Sequence, residues 1–163
     1  MKLILVRHAV AFERNAKRWP DDSQRPLTKR GAATFRKAAG GLVKLCPDVA
    51  LCLTSPFRRA ARTAELLAQA GWPKARLLPE LEPGVDPQSV AHALAGLKTK
   101  GPIAIVGHEP ALSELTAFLL GLLHPPFEYK KGGAAVLDFP GAIDKGQGRL
   151  QWLAPPKLLR RAR

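Results

Sequence analysis

Cysteine, aromatic side chains, acidic side chains and long apolar runs are all scarce in this chain. There are two cysteines in 163 residues, Cys46 and Cys52. They form no Cys-x-x-Cys motif, so neither a disulfide scaffold nor a thioredoxin-like redox pair is indicated. Both lie in apolar surroundings and read as small core residues. A reducing, cytoplasmic compartment is expected. Aromatic residues make up 6% of the chain, too few for a platform on which nucleic-acid bases stack. No apolar run approaches the roughly 20 residues that span a bilayer. The first apolar segment lacks a small-residue cleavage site and ends in Arg7-His8, so it does not read as a signal peptide. Neither a membrane nor an obligatory nucleic-acid partner is expected.

Acidic residues number 13 against 26 basic ones, which leaves a net charge of +13. A field of that sign attracts anions such as acidic proteins, phosphorylated substrates or nucleic acid. Part of it comes from Arg14, Lys17, Arg18 and Arg25 in one loop. Another part comes from Lys157, Arg160, Arg161 and Arg163 after Pro155-Pro156. With 46% hydrophobic and 24% charged residues, the composition is that of an ordinary globular domain. The chain is read as a single domain over 1–154 with a basic C-terminal tail over 155–163.

Strand and helix signals alternate. Lys2 to Val6 is an apolar strand, followed by a polar loop over 9–27. Thr28 is placed to cap a helix whose stripe is Phe35, Ala38, Ala39, Leu42 and Leu45. Gly40-Gly41 weakens that helix and marks close packing, and Pro47-Asp48 ends it. Val49 to Thr54 reads as a buried strand. Ser55-Pro56 then reads as an N-cap followed by proline at the first helical position, for a helix that stops at Gly71. A short strand around Arg76–Leu78 and an irregular loop to Gly84 come next. Asp86-Pro87 opens a helix to about Leu97, and Ile103 to Val106 is another buried strand. Pro110 starts a helix to Gly121 that is apolar nearly all round and is expected to be buried on two sides. Ala134–Phe139 and Leu150–Leu153 form a hairpin. The expected architecture is a three-layer α/β/α fold with a mostly parallel central sheet and an antiparallel edge.

In open α/β sheets, ligands bind outside the carboxyl ends of the strands. Three strand ends fall there: Arg7-His8, Ser55-Pro56-Phe57-Arg58-Arg59, and Gly107-His108-Glu109-Pro110. A helix N-terminus with arginine in its first turn suits an oxyanion, and the planar guanidinium fork holds two phosphate oxygens. Arg7 and Arg59 are therefore read as a phosphoryl clamp. His8 is read as a nucleophile toward phosphorus, and His108 as a donor to the equatorial oxygens. His92 and His124 read as ordinary helix and loop residues. A zinc site needs three or four ligands at suitable spacing, and none is evident, so no metal or cofactor is expected.

These residues carry a resemblance. The stretches Leu5-Val6-Arg7-His8-Ala9, Arg25-Pro26-Leu27-Thr28-Lys29-Arg30-Gly31 and Thr54-Ser55-Pro56-Phe57-Arg58-Arg59-Ala60 with Thr63-Ala64 come first. Leu78-Pro79-Glu80-Leu81, Val106-Gly107-His108-Glu109-Pro110 and Leu150-Gln151-Trp152 follow. In this order they resemble the histidine phosphatase superfamily, with its phosphoglycerate mutase-like fold, and most closely its SixA-type phosphohistidine phosphatase branch. The resemblance implies that His8 is the nucleophile, that Arg7 and Arg59 are the pocket arginines, and that His108 is the second pocket histidine. Arg25 is implied as an additional phosphate-side arginine. The Ser-Pro-x-x-Arg spacing selects Arg59 over Arg58, which is expected at the rim. Ala9 stands where the family has glycine. Glu80 and Glu82 lie where many family phosphatases carry a general acid; Glu80 is the candidate, although the SixA-type branch is not expected to use one.

A phosphohistidine leaves as imidazole, a far weaker base than an alkoxide, and needs less help from an acid worth roughly 10²–10⁴-fold. The short chain also leaves little room for a lid. The function expected from the resemblance is a metal-independent phosphatase acting on phosphohistidine of a signalling or phosphotransfer protein through a phospho-His8 intermediate. The partner would be acidic. The rivals are a phosphatase for small phosphorylated molecules and a non-catalytic anion- or nucleic-acid-binding module.

Overall fold

Ile4 and Val6 of the first strand pack into one apolar cluster, and Leu3 and Leu5 pack into another. Side chains alternate across a strand, so this strand is covered on both faces, as a continuous apolar run in a parallel sheet requires. In this computed structural model, which describes residues 1–162, the strands are β1 (Lys2–Arg7), β2 (Leu51–Thr54), β3 (Arg76–Leu77), β4 (Ile103–Gly107), β5 (Ala134–Asp138) and β6 (Arg149–Ala154). The helices are α1 (Lys29–Leu45), α2 (Arg58–Ala70), α3 (Pro87–Ala95), α4 (Ala111–Leu120) and α5 (Pro156–Leu159). Among the described residues the strands form one sheet in the order β3-β2-β4-β1-β5-β6.

The first four sheet positions are parallel; at the other end β5 pairs antiparallel with β1, and β6 antiparallel with β5. This is the three-layer fold expected from the sequence, with the antiparallel hairpin at one edge. Phe35 and Leu42 of α1, Leu66 and Leu67 of α2 and Leu159 of α5 cover one face. Val90 and Leu94 of α3 and Leu112, Leu115 and Leu119 of α4 cover the other. Fully burying each such side chain contributes roughly 1.5–3 kcal/mol, and the two clusters together clamp the sheet that carries the site.

Local signals fix several boundaries. The Thr28 hydroxyl accepts from the Gly31 N–H at 2.8 Å, and the Asp86 carboxylate accepts from the Ser89 N–H at 2.9 Å, so both caps form as expected. Three expectations are corrected. Ser55 is not the N-cap of α2, which starts at Arg58 with Phe57 in extended conformation before it; the Ser55 hydroxyl sits two residues before Phe57, bonded to the Phe57 N–H and to a histidine across the sheet edge. The strand expected from Val49 begins at Leu51. Leu45, counted on the apolar stripe of α1, is 52% exposed at the last residue of the helix. Cys52 is buried and Cys46 half-buried, both as free thiols, and burial pushes the Cys52 thiol up to about 12.

The short helix α5 is drawn onto the body of the protein. Leu159 is buried, and its carbonyl oxygen lies 1.8 Å from where a Cβ on Gly41 would stand. The close packing read from Gly40-Gly41 is therefore contact of α1 with α5 at Gly41; nothing lies near a Cβ on Gly40. Gly41→Ala is expected to push α5 off α1 at a cost of about 1–3 kcal/mol, seen as a thermal midpoint lowered by roughly 3–10 °C. An unchanged midpoint in a calorimetric scan would contradict this packing.

Candidate active site

The parallel register aligns Val6 with Val106 and Arg7 with Gly107, and Thr54 with Val106. Each strand therefore delivers its next residue to the same edge: His8 from β1, His108 from β4 and Ser55 from β2. The ladder continues one step past the strands, with His8 N–H donating to the Gly107 carbonyl and Ser55 N–H to the Val106 carbonyl, both at 3.0 Å. The two imidazole rings stand 5.1 Å apart.

The partners of His8 settle its tautomer. Nδ1 lies 2.7 Å from the Ala9 carbonyl, which can only accept, so Nδ1 carries the proton. That leaves the Nε2 lone pair in the pocket, facing the Arg59 Nε–H at 3.3 Å. Ala9 itself needs no glycine: no non-glycine among the described residues has a positive φ. Its N–H donates at 3.0 Å to the Thr63 hydroxyl, which in turn donates at 2.8 Å to the Arg59 carbonyl. One helical turn of α2 thereby ties the nucleophile candidate to its arginine neighbour.

His108 Nε2 is 2.9 Å from the Ser55 hydroxyl, and that hydroxyl accepts from the Phe57 N–H at 3.3 Å. With the Ser55 O–H donating to Nε2, the relay runs from Phe57 N–H through Ser55 to His108, whose proton then lies on Nδ1. That nitrogen is buried and has no protein partner among the described residues; the Arg7 Nε is in the same situation. Two buried nitrogens without partners, in a pocket where the His8 Nε2 lone pair meets only the Arg59 Nε–H, suit an oxyanion.

Arg59 has a side chain only 4% exposed, whereas Arg58 is exposed. Arg59 donates to the Asp22 carbonyl at 2.9 Å and reaches the Asp22 carboxylate at 3.1 Å. Arg25 donates to the same carboxylate at 2.8 Å and to the Phe12 carbonyl at 2.7 Å. Arg7 donates to the Tyr129 carbonyl and lies 3.7 Å from the Glu128 carboxylate.

Asp22 is the residue that sequence reading missed. It is the counter-charge that joins Arg25 and Arg59, and the bond from Arg25 holds its carboxyl below the usual range. Ser55 was read as a cap, not as the partner of His108. Glu80 lines a small cavity with Gly107 and His108, but no hydrogen bond joins it to His8, Arg7 or Arg59, and one of its carboxylate oxygens is buried without a partner. Among the described residues no group of three or more His, Cys, Asp or Glu side chains is arranged to hold a metal ion. No helix among them is long and apolar enough to cross a membrane.

Burial, reinforced by Arg59, Arg7 and Arg25, pushes His8 down to about 3 against the opposing bond to Ala9. Burial, with His8 and Arg59 beside it, pushes His108 to about 2. Both rings are neutral at pH 7, which keeps the Nε2 lone pair of His8 available. Because both bind protons less readily folded than unfolded, the stability they contribute is present above 6.5 and is lost as pH falls toward 3. Denaturant unfolding is expected to show a loss of at most about 1.4 kcal/mol per pH unit per histidine below that point. The loss between pH 7 and 5 should shrink in His8→Asn/His108→Asn. An equal loss in both proteins would contradict the neutral assignment.

Comparisons with known proteins place the sequence and the fold. Residues 3–83 match the model of the histidine phosphatase superfamily (branch 1). A protein of Picosynechococcus sp. described only as uncharacterized is 32% identical over 140 residues, 82% of each chain. The solved structure of the protein histidine phosphatase SixA complexed with tungstate superposes with a TM-score of 0.83 at 29% identity, covering 98% of this chain and 99% of that one. The phosphoserine phosphatase of Entamoeba histolytica, in complex with phosphoserine, shares the fold at 16% identity with a TM-score of 0.72, over 96% and 98% of the two chains.

Proposed function

From the premise that this chain belongs to the histidine phosphatase superfamily and is a phosphatase, we propose that it hydrolyses phosphohistidine on a protein, through a covalent phospho-His8 intermediate. The observation that carries this reading is a His8 Nε2 lone pair held against the Arg59 Nε–H in a pocket where two further buried nitrogens, Arg7 Nε and His108 Nδ1, have no partner. The likeness to a SixA structure holding tungstate, another tetrahedral oxyanion, supports it.

In the proposed reaction His8 Nε2 attacks phosphorus and the P–N bond to the substrate imidazole breaks. The leaving ring keeps the electron pair, and departs neutral when its other nitrogen carries a proton. Arg7, Arg59 and His108 hold the equatorial oxygens as negative charge shifts in the transition state. Water then attacks the phosphorus of phospho-His8, releasing inorganic phosphate and restoring the imidazole. Arg25 is proposed to add positive charge from behind Asp22. The test is a phosphatase assay with EDTA on a phosphohistidine-bearing protein beside para-nitrophenyl phosphate. Phosphohistidine turned over well and the ester poorly is the expected result; preference for the ester would overturn the substrate assignment.

A small-molecule phosphomonoesterase is the second reading, favoured by the position of Glu80 beside His108. Glu80→Gln separates the two. Phosphohistidine hydrolysis is expected to change by less than about threefold, since imidazole needs little protonation. An enzyme built for alkyl phosphates would lose roughly 10²-fold or more.

A further inference from the structure

Beside the pocket, α1 and α2 face each other across a cleft of about 540 Å³. Lys29 and Arg36 stand seven residues apart on α1, two turns along one face. Arg58 and Arg62 stand four apart on α2, one turn along theirs. All four line the cleft, and Glu65 lines it too. Glu65 is already taken by Arg62 at 2.5 Å. Lys29, Arg36 and Arg58 are exposed and pair with no carboxylate among the described residues.

The cleft adjoins the phosphate pocket through the chain itself. Arg58 precedes Arg59, and Pro26 and Leu27, which also line it, follow Arg25. Its remaining surface includes Leu27, Ala32 and Ala61, and no aromatic residue lines it. Bases therefore have nothing to stack on. A strip of small apolar groups edged by unpaired cations fits an amphipathic segment whose polar face carries Asp and Glu. We propose that this cleft docks an acidic segment of the protein substrate next to its phosphohistidine, an inference that rests on the phosphohistidine reading above. The polarity then has a cause: charge complementarity steers the partner, and the cleft sets which histidine reaches His8.

The test compares two substrates for wild type and for Lys29→Glu/Arg36→Glu/Arg58→Glu, with the corresponding triple glutamine variant as a milder control. One substrate is an acidic phosphotransfer domain carrying phosphohistidine; the other is phosphoimidazole, which is too small to reach the cleft. On the domain at low salt, kcat/KM is expected to fall about tenfold or more in the glutamate variant and less in the glutamine variant. On phosphoimidazole both variants should stay within about twofold of wild type. High salt should erase the difference on the domain. No change on the domain, or equal losses on both substrates, would overturn the docking role. Polyglutamate should compete with the domain, and competition only by an oligonucleotide of equal charge would overturn the acidic-protein assignment. Failure of the wild type to hydrolyse either substrate would instead remove the phosphohistidine reading, and this inference with it.

Discussion

His8→Ala is expected to lose turnover of phosphohistidine and of any ester alike, by about 10⁴-fold or more, while the protein stays folded. The size follows from covalent catalysis. If Nε2 accepts the phosphoryl group, no other group in the pocket replaces it, and the two-step route closes. Ala also removes a ring that is nearly fully buried and tied to the Ala9 carbonyl, so the fold must be checked by circular dichroism and by binding of an oxyanion such as tungstate. Retained tungstate binding with lost turnover is the expected combination. A variant that keeps a tenth of wild-type activity would show that His8 is not the nucleophile.

Arg59 carries the second large effect. Its guanidinium simultaneously meets His8 Nε2 through Nε and the carbonyl and carboxylate of Asp22 through its two terminal nitrogens. Lysine offers a single point charge and cannot reproduce that planar fork. Arg59→Lys is therefore expected to lose roughly 10²–10³-fold in kcat/KM, the scale of a transition-state donor, despite keeping its charge. Arg58→Lys, one residue away and exposed, should leave turnover of a small phosphoramidate unchanged. Steady-state kinetics on the two variants check both; equal, small losses would mean that charge alone, not bidentate geometry, is what the pocket uses.

Much of this was legible in the sequence because it is written in local patterns. Apolar runs ending in Arg7-His8 and in Gly107-His108 mark buried parallel strands, and parallel register then brings their ends together. The family resemblance, through its Ser-Pro-x-x-Arg spacing, singles out Arg59, and the structure buries that side chain while leaving Arg58 exposed. The caps at Thr28 and Asp86 are equally local.

What was not legible depends on pairs far apart in the chain. Ser55 and His108 are separated by 53 residues, so nothing near Ser55 distinguishes a relay hydroxyl from an N-cap. Asp22 reaches Arg59 across 37 residues, and in a loop that also holds Asp21 no pattern selects between them. Asp21 caps the short turn over Asp22–Gln24 instead. The docking of Leu159 on Gly41 has the same character. The glycine pair signals close approach, yet only the fold says what approaches.

The charge pattern links site and surface. Arg7, Arg25 and Arg59 surround a neutral imidazole pair, with Asp22 as the nearest counter-charge among the described residues that binds two of them. An incoming phosphoryl group meets positive potential among buried side chains, where electrostatic interactions exceed their value in water. The unneutralised cations outside extend that potential toward a large anionic partner.

Catalysis through His8 requires a phosphoryl group carried on that residue, and it can be looked for directly. Wild-type protein mixed with a phosphohistidine-bearing substrate, quenched in base during turnover and digested, should yield the peptide containing His8 with one added phosphoryl group that is stable in alkali and lost in acid. The same peptide should be unmodified when the substrate is omitted. Turnover with no phosphoryl group on His8, or with one on another residue, would contradict the account.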